Sequence, residues 1–384
     1  MSNPAWAGDY AKTIVEVMRV LGRHNRVLYV ENPPTWLDLF RKSRRAVLSS
    51  IFSKAKVVEH HFEEGKVHVL TPGPVLPVNF LPAGKLYAFF QLLNSRKLHR
   101  QIKKQLDMLG MRERLIHINA FNPLVARGNF GKFGERTLVY YCYDEIRAAH
   151  YMKKHGSYLE KEMLRKADIT VVSSEGLLEA KAPLAKRIAL VKNGVNFSLF
   201  SRGFVKESPR TVKIGYLGSI DDRLDMGLLK SLFETRPEWL FEFVGRITDK
   251  QVEAFLRSFK NVSLLGAYPP EELPAFLRNY SAGIIPFVRN RFTEGIYPLK
   301  INEYLAAGIP VVMTAFGKMD EFRDIALITD NSHAFITGLA HETGADNPEK
   351  REKRKNFAAL NSWESRVEDL SKAIHGYEST KPFE

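Results

Sequence analysis

The 384-residue chain has a single cysteine, Cys142. One thiol cannot close an internal disulfide, which excludes a disulfide-built secreted scaffold. No stretch approaches the roughly 20 consecutive apolar residues that cross a bilayer, and no basic-then-apolar leader opens the sequence. Metal-ligand patterns are missing as well: there is no H-E-x-x-H, C-x-x-C or D-x-D. His60–His61, with Glu63 and Glu64, reads as a solvated turn rather than a ligand cluster. The G-x-G-x-x-G turn of nicotinamide enzymes is absent, and so are internal repeats and low-complexity tracts. Acidic residues are scarce in one half only. Residues 1–205 hold 33 Lys+Arg against 17 Asp+Glu, whereas residues 206–384 hold 24 against 26. One half therefore carries the whole of the +14 net charge. Such asymmetry suggests an anionic partner: nucleic acid, an acidic membrane surface or a phosphorylated lipid. The plain alternative is a generically basic surface. Nucleic acid would call for aromatic residues on a strand platform or a recognised motif; neither is present, so it is set aside.

Short apolar runs alternate with helical patterns along the whole length. Expected strands are Arg26–Val30, Val67–Leu70, Leu115–Ile118, Leu138–Tyr143, Ile169–Val172 and Ile188–Val191 in the first half. In the second they are Val212–Leu217, Phe241–Val244, Val262–Leu265, Gly283–Phe287, Pro310–Thr314 and Ala326–Thr329. Continuous apolar runs of this length are how parallel strands buried on both faces read. The fold class is therefore α/β, with two doubly wound Rossmann-like domains. The polar interruption at 198–209 suggests domains of 1–200 and 201–361, with 362–384 as a last helix. Ligands are expected in a cleft at the strand C-termini. Residues 9–23 read as a helix before any strand. A doubly wound domain normally starts with a strand, so one is expected upstream of this helix, and an extended chain is expected to be more stable.

Two basic stretches are also apolar. Leu37–Val57 contains Arg41, Lys42, Arg44, Arg45, Lys54 and Lys56 against Asp38. Phe80–Lys104 contains Lys85, Arg96, Lys97, Arg100, Lys103 and Lys104 with no acid, beside Leu86, Phe89, Phe90, Leu92 and Leu93. Apolar residues flanked by cations suit an interfacial helix on an anionic leaflet. The alternative is a core-facing helix with a solvated cationic face.

The stretch with most chemistry is Tyr297–Val312, Y-P-L-K-I-N-E-Y-L-A-A-G-I-P-V-V. Pro298 suits the first helical position, Gly308 the left-handed cap, and Pro310 forbids continuation. The exposed N–H groups of such a helix attract an anion. Lys300 in the first turn opposes the helix dipole, which is explained if an anion lies between. Glu303 follows three residues on, about 4.5 Å along the axis. A cation for phosphate and a carboxylate for a ribose diol fit a nucleotide; a local Lys300–Glu303 pair is the simpler alternative.

K-x-x-E-Y-L-A-A-G-x-P-V-V resembles the donor-site helix of GT-B glycosyltransferases, group 1 (glycosyltransferase family 4), most closely the teichuronic-acid and xanthan glucuronosyltransferase type. Val212–Leu228, Phe241–Arg246, Asn261–Leu277 and Asn193–Val195 resemble further donor-domain segments in the same order. The resemblance implies that Gly218 and Ser219 let backbone approach a sugar diphosphate which Arg223 and Lys300 neutralise. It implies that the Tyr268 backbone meets the base, that Glu303 holds the ribose, and that Tyr297 and Leu299 line the nucleotide pocket. It also implies that the last helix crosses back to the first domain. Taken alone, the glycine turn is equally a plain tight turn. The sequence departs from the family at Gly295, where group 1 enzymes carry a sugar-side glutamate; Glu294 is one residue out of register.

Asp144 ends an apolar strand and is the candidate general base, with a helix N-cap as the alternative. His117 and His150 have no spacing argument. The expected activity is transfer from a nucleotide-sugar, a UDP-sugar for preference, to a hydroxyl of a glycan or lipid-linked acceptor in cell-surface polysaccharide synthesis. The expected location is the cytoplasm, peripheral at the inner membrane face, with no metal and no cofactor beyond the co-substrate. A nucleotide-sugar 2-epimerase of the same fold and a non-catalytic membrane or nucleic-acid adaptor are the rivals.

Overall fold

The computed structural model describes residues 1–2, 4–7, 12–38, 55–62, 64–146, 152 and 154–379. Arg41, Lys42, Arg44, Arg45 and Lys54 of the first basic stretch, together with Glu63 and His150, lie outside them. The chain folds as two compact units: Met1–Gly8, Lys12–Lys192 and Val367–Glu384 form the first, and Asn193–Arg366 belongs to the second.

In the first unit, β1 (Leu28–Val30), β2 (Lys56–Phe62) and β3 (Gly65–Thr71) form a sheet in the order β1-β3-β2. A second sheet runs β4-β5-β6-β7, from Ile116–Ala120, Thr137–Cys142, Ile169–Val172 and Ile188–Leu190. The second unit is built on one six-stranded sheet, β10-β9-β8-β11-β12-β13. Its strands are β8 (Lys213–Leu217), β9 (Leu240–Val244), β10 (Val262–Gly266), β11 (Ala282–Ile285), β12 (Val311–Thr314) and β13 (Leu327–Thr329). All its pairings are parallel. Strands β6 and β11 are buried at every residue, as sheets covered on both faces require.

All twelve expected strands are found, their ends shifted by at most two residues. The thirteenth, β2, was not expected. It pairs antiparallel with β3, and its residues K-V-V-E-H-H-F are exposed or half-buried throughout, so no apolar run marks it. His60 and His61 therefore lie on an edge strand and not in a turn. His61 and His68 face Glu59 at 2.8 and 3.2 Å, a local charge cluster at the sheet edge.

The second unit begins at Asn193, before the polar interruption, because Asn193–Val195 is tied into it. Asn193 Nδ2 donates to the Tyr297 carbonyl (3.0 Å), and Val195 bridges Ser362. The last helix, Trp363–Glu378, starts in the second unit and ends in the first.

A buried ion cluster fastens the second unit around its central helix, Leu299–Ala306. Asp346 accepts from Arg351 Nε and Arg354 Nη1, both at 2.6 Å, and from the Ser208 hydroxyl at 2.7 Å. Arg351 also donates to the Val205 carbonyl, and Arg354 to the Gly308 carbonyl that ends the central helix. All three charged side chains are essentially inaccessible. Removing Asp346 leaves the buried Arg351 guanidinium without a carboxylate and Arg354 with only Glu342 at 3.5 Å, and breaking a buried pair in this way typically costs about 3–5 kcal/mol. Asp346→Ala is expected to lower the urea midpoint accordingly, whereas a loss below about 1 kcal/mol in the same titration would mean that water replaces the carboxylate.

Candidate functional site

The site is built where β8 ends against the first turn of the Leu299–Ala306 helix. Pro298, expected as the first helical residue, is instead the N-cap with extended backbone; the helix is eight residues long and Gly308 closes it at φ 74°. Lys300 is buried and lies across the sheet end. Its Nζ donates to the Tyr216 hydroxyl (2.9 Å) and sits 4.1 Å from the Tyr216 ring centroid and 4.6 Å from that of Phe287. The Tyr216 hydroxyl in turn donates to the Ser219 carbonyl (2.8 Å). A β-carbon on Gly218 would stand 2.8 Å from Lys300 Nζ, and Gly218 adopts φ 133°. Any larger residue would thus displace the ammonium and strain the turn.

Two aromatic faces and one phenol are poor solvent for an ammonium. Burial, followed by the nearby Arg223, pushes the Lys300 pKa well below its usual range. Arg223 stacks on the same Phe287 ring at 5.2 Å. It is not held free for a ligand, as the family pattern implies: Asp221 binds it bidentately at 2.7 and 2.6 Å. The two cations therefore meet around one ring, with Asp221 bound to Arg223 and no carboxylate hydrogen-bonded to Lys300, an arrangement that gains from a further anion.

Glu303 stands one turn beyond Lys300 and keeps some exposure. Its surroundings nevertheless push its carboxyl up to about 7, the Lys300 charge opposing the effect of burial. Tyr304, the next residue, fixes the strand end, its hydroxyl accepting from the Leu217 amide (2.7 Å).

The remaining expected residues fall as follows. Leu299 is half-buried at the first helical position. Tyr297 does not present its side chain as pocket lining: the ring is buried beside Phe322, and the hydroxyl donates to Glu321 (2.7 Å). Its carbonyl, held by Asn193, is the part that shapes the helix entrance. Tyr268 follows β10 with its ring edge-on to Phe276, and its amide and carbonyl make no hydrogen bond to described residues. Glu294 is exposed and pairs with Arg289 (3.4 Å), while Gly295 is buried in a tight turn. No group of three or more His, Cys, Asp or Glu side chains that could hold a metal occurs among the described residues.

Asp144 belongs to the first unit, two residues beyond β5. Its carboxylate accepts from the amide of the adjacent Glu145 (2.9 Å). His117 is buried, with Nδ1 on Glu135 at 2.7 Å; burial pushes it down to about 4. The aromatic floor of Tyr216 and Phe287 carries no sequence signal, since Tyr216 lies in β8 and Phe287 two residues beyond β11, with no shared spacing.

Residues 212–341 match the family model described as "Glycosyl transferases group 1". A Bacillus subtilis protein described as a teichuronic acid biosynthesis glycosyltransferase, TuaH, is 27% identical over 224 residues, 53% of this chain and 56% of that protein. The match thus spans about half the length of that relative. Among solved structures, a UDP-forming trehalose-phosphate synthase from Burkholderia xenovorans superposes with a TM-score of 0.67 at 12% identity, covering 97% of this chain and 98% of that one. The catalytic domain of starch synthase IV from Arabidopsis thaliana, bound to ADP and acarbose, gives 0.63 at 12% identity and 98% coverage of both. The fold is GT-B, and the second unit carries a group 1 glycosyl transferase domain.

The Glu303 carboxyl has a measurable consequence. Between its ordinary 4.5 and about 7, the unfolded chain releases a proton that the folded chain keeps, so stability falls as pH rises through that window. Glu303→Gln is expected to flatten this fall and to make the unliganded protein more stable at pH 8. Parallel pH profiles of melting temperature for the two proteins would refute the assignment.

Proposed function

We propose that this protein transfers a sugar from a nucleotide-sugar donor, a UDP-sugar for preference, to a hydroxyl of a glycan or lipid-linked acceptor in cell-surface polysaccharide synthesis. The observation that carries the reading is Lys300: an ammonium buried on two aromatic rings beneath the Gly218 backbone, one turn before a carboxylate. A diphosphate against this ammonium, Arg223 and the helix N-terminus would be stabilised as it leaves. Glu303 would take the ribose hydroxyls and the free backbone of Tyr268 the base. The leaving charge is met by these protein groups, and Asp144 would accept the acceptor hydroxyl's proton in an inverting reaction.

We also propose that the first unit works at an anionic membrane surface on the cytoplasmic side. On the Lys85–Met108 helix the residues turned to the core are Tyr87, Gln91, Ser95, Leu98, Ile102 and Leu106. Leu86 and Phe89 are more than half exposed, and Leu92 and Leu93 are exposed beside them. Lys85, Arg96, Arg100, Lys103 and Lys104 are exposed on the same helix. Apolar contacts and cations so combined favour an acidic leaflet. No helix among the described residues is long and apolar enough to cross a membrane.

The donor site is tested by thermal unfolding with UDP, chelator present. Ligand at 100 times its Kd stabilises by about 2.7 kcal/mol, a shift of a few degrees. Lys300→Met is expected to be at least as stable as wild type without ligand, because a buried ammonium is removed, and to lose the shift. Asp144→Asn is expected to keep the shift and to lose roughly 10²–10⁴-fold in turnover. Retention of the UDP shift by Lys300→Met would overturn the site; conversion of the donor alone to its epimer, without acceptor, would favour an epimerase.

Membrane docking is read by co-sedimentation with vesicles containing 25% phosphatidylglycerol. Binding should weaken with salt and be abolished by Phe89→Glu, while equal binding to neutral vesicles would refute the charge argument.

A further inference from the structure

The two sheets of the first unit are separated by a slot, and Met1–Ser2 sits at one end of it. The Met1 amino group donates to the Ile118 carbonyl (2.8 Å) and the Ala120 amide donates to the Met1 carbonyl (2.8 Å). That is the bonding of one residue in a parallel ladder with β4. On the other side the Ser2 amide donates to the Val30 carbonyl (2.9 Å), so the same two residues also pair with β1. Two residues thus join β1 to β4 and make one sheet, β2-β3-β1-(Met1–Ser2)-β4-β5-β6-β7.

Behind Met1 the join stops and a cavity of about 530 Å³ opens. Its walls are the edges of β1 and β4, including Leu28 and Ile116, and apolar side chains of three helices, among them Met18, Leu106 and Ile374. Hydrogen-bond alternation shows which backbone groups face it. Val27 and Glu31 bond to β3, and Leu115 and Phe121 bond to the β5 side. Leu28 and Val30 on one edge, and Ile116 and Ile118 on the other, therefore turn amides or carbonyls to the cavity. Buried polar atoms nearby are also unsatisfied: His117 Nε2 and Ser2 Oγ have no partner. Burial pushes the Met1 amino group down to about 5, so the structure is better served there by a neutral amide than by an ammonium.

We infer that this slot is the seat of one more parallel β-strand, an extended apolar segment of about four residues joined directly to the amino group of Met1. Its register follows from the ladder already begun. The residue joined to Met1 would pair with Leu28 and Val30, and the one before it with Ile116 and Ile118. Closed on both faces by helices, the segment would be apolar throughout, and main-chain bonds to both edges would hold it as in β-strand addition. The inference is independent of the donor site.

The test compares the full chain with two extended versions, one carrying Lys-Val-Val-Ile-Val before Met1 and the other Gly-Ser-Gly-Ser-Gly. The apolar extension is expected to raise the melting temperature by about 5 °C or more and to protect the amides of Leu28, Val30, Ile116 and Ile118 from hydrogen exchange. The Gly/Ser version, which equally removes the terminal charge, should do neither. Ile116→Pro removes a slot-facing amide without a bond to β5, and should reduce the gain of the apolar version. Equal melting of the two extended chains overturns the proposal. So does stabilisation by the free acetylated peptide with none from the fusion, which would assign the slot to a separate chain.

Discussion

The second unit is organised around one unfavourable placement, the ammonium of Lys300 held between the rings of Tyr216 and Phe287. A lysine in the first turn of a helix opposes the dipole, and burial adds a desolvation cost. No carboxylate bonds it directly; its hydrogen-bond partner is a neutral phenol. The surrounding structure holds it there by several means. Gly218 gives it room, Tyr304 ties the helix to the end of β8, and Asp346 with two arginines fastens the far end of that helix. A group so placed at a cost elsewhere is characteristic of a site whose missing interaction is supplied by the ligand.

Glu303 belongs to the same constraint. Its carboxyl rises with burial while Lys300 pulls it down, and Lys300 falls with burial while Arg223 pushes it further. The pair does not form a tight ion pair that would satisfy both. Lys300 Nζ has three donors and spends one of them on the Tyr216 hydroxyl. An anion at the helix N-terminus would favour the charged form of Lys300, and a diol would hydrogen-bond the carboxylate.

Which parts of this were legible in the sequence follows from how each is encoded. Lys300, Glu303 and Gly308 lie on one short helix, so their spacing carries their geometry, and the strands of the parallel sheets announce themselves as unbroken apolar runs. Arg351 and Arg354 were invisible, because E-K-R-E-K-R-K-N reads as a solvated helix face; only the fold brings them to Asp346, Val205 and Gly308. Tyr297 was misjudged because a motif gives a position and not a direction: its hydroxyl is spent on Glu321. Arg223 shows the same limit, since Asp221 two residues away competes for it.

The first unit shows the converse case, where a local pattern had no run to declare it. Strand β2 is half polar because it lies at an open edge, where one face and one row of backbone groups meet water. The interior seam between β1 and β4 obeys the opposite rule. Backbone groups there face a cavity lined mainly by apolar side chains, with Arg26, Glu113 and Arg114 also at its wall, and another backbone satisfies them in register. An edge exposed to solvent can remain unpaired at little cost; an edge facing the core cannot. Met1 and Ser2 resolve this for two residues of the seam, and the same physics applies to the length of it that lies behind them.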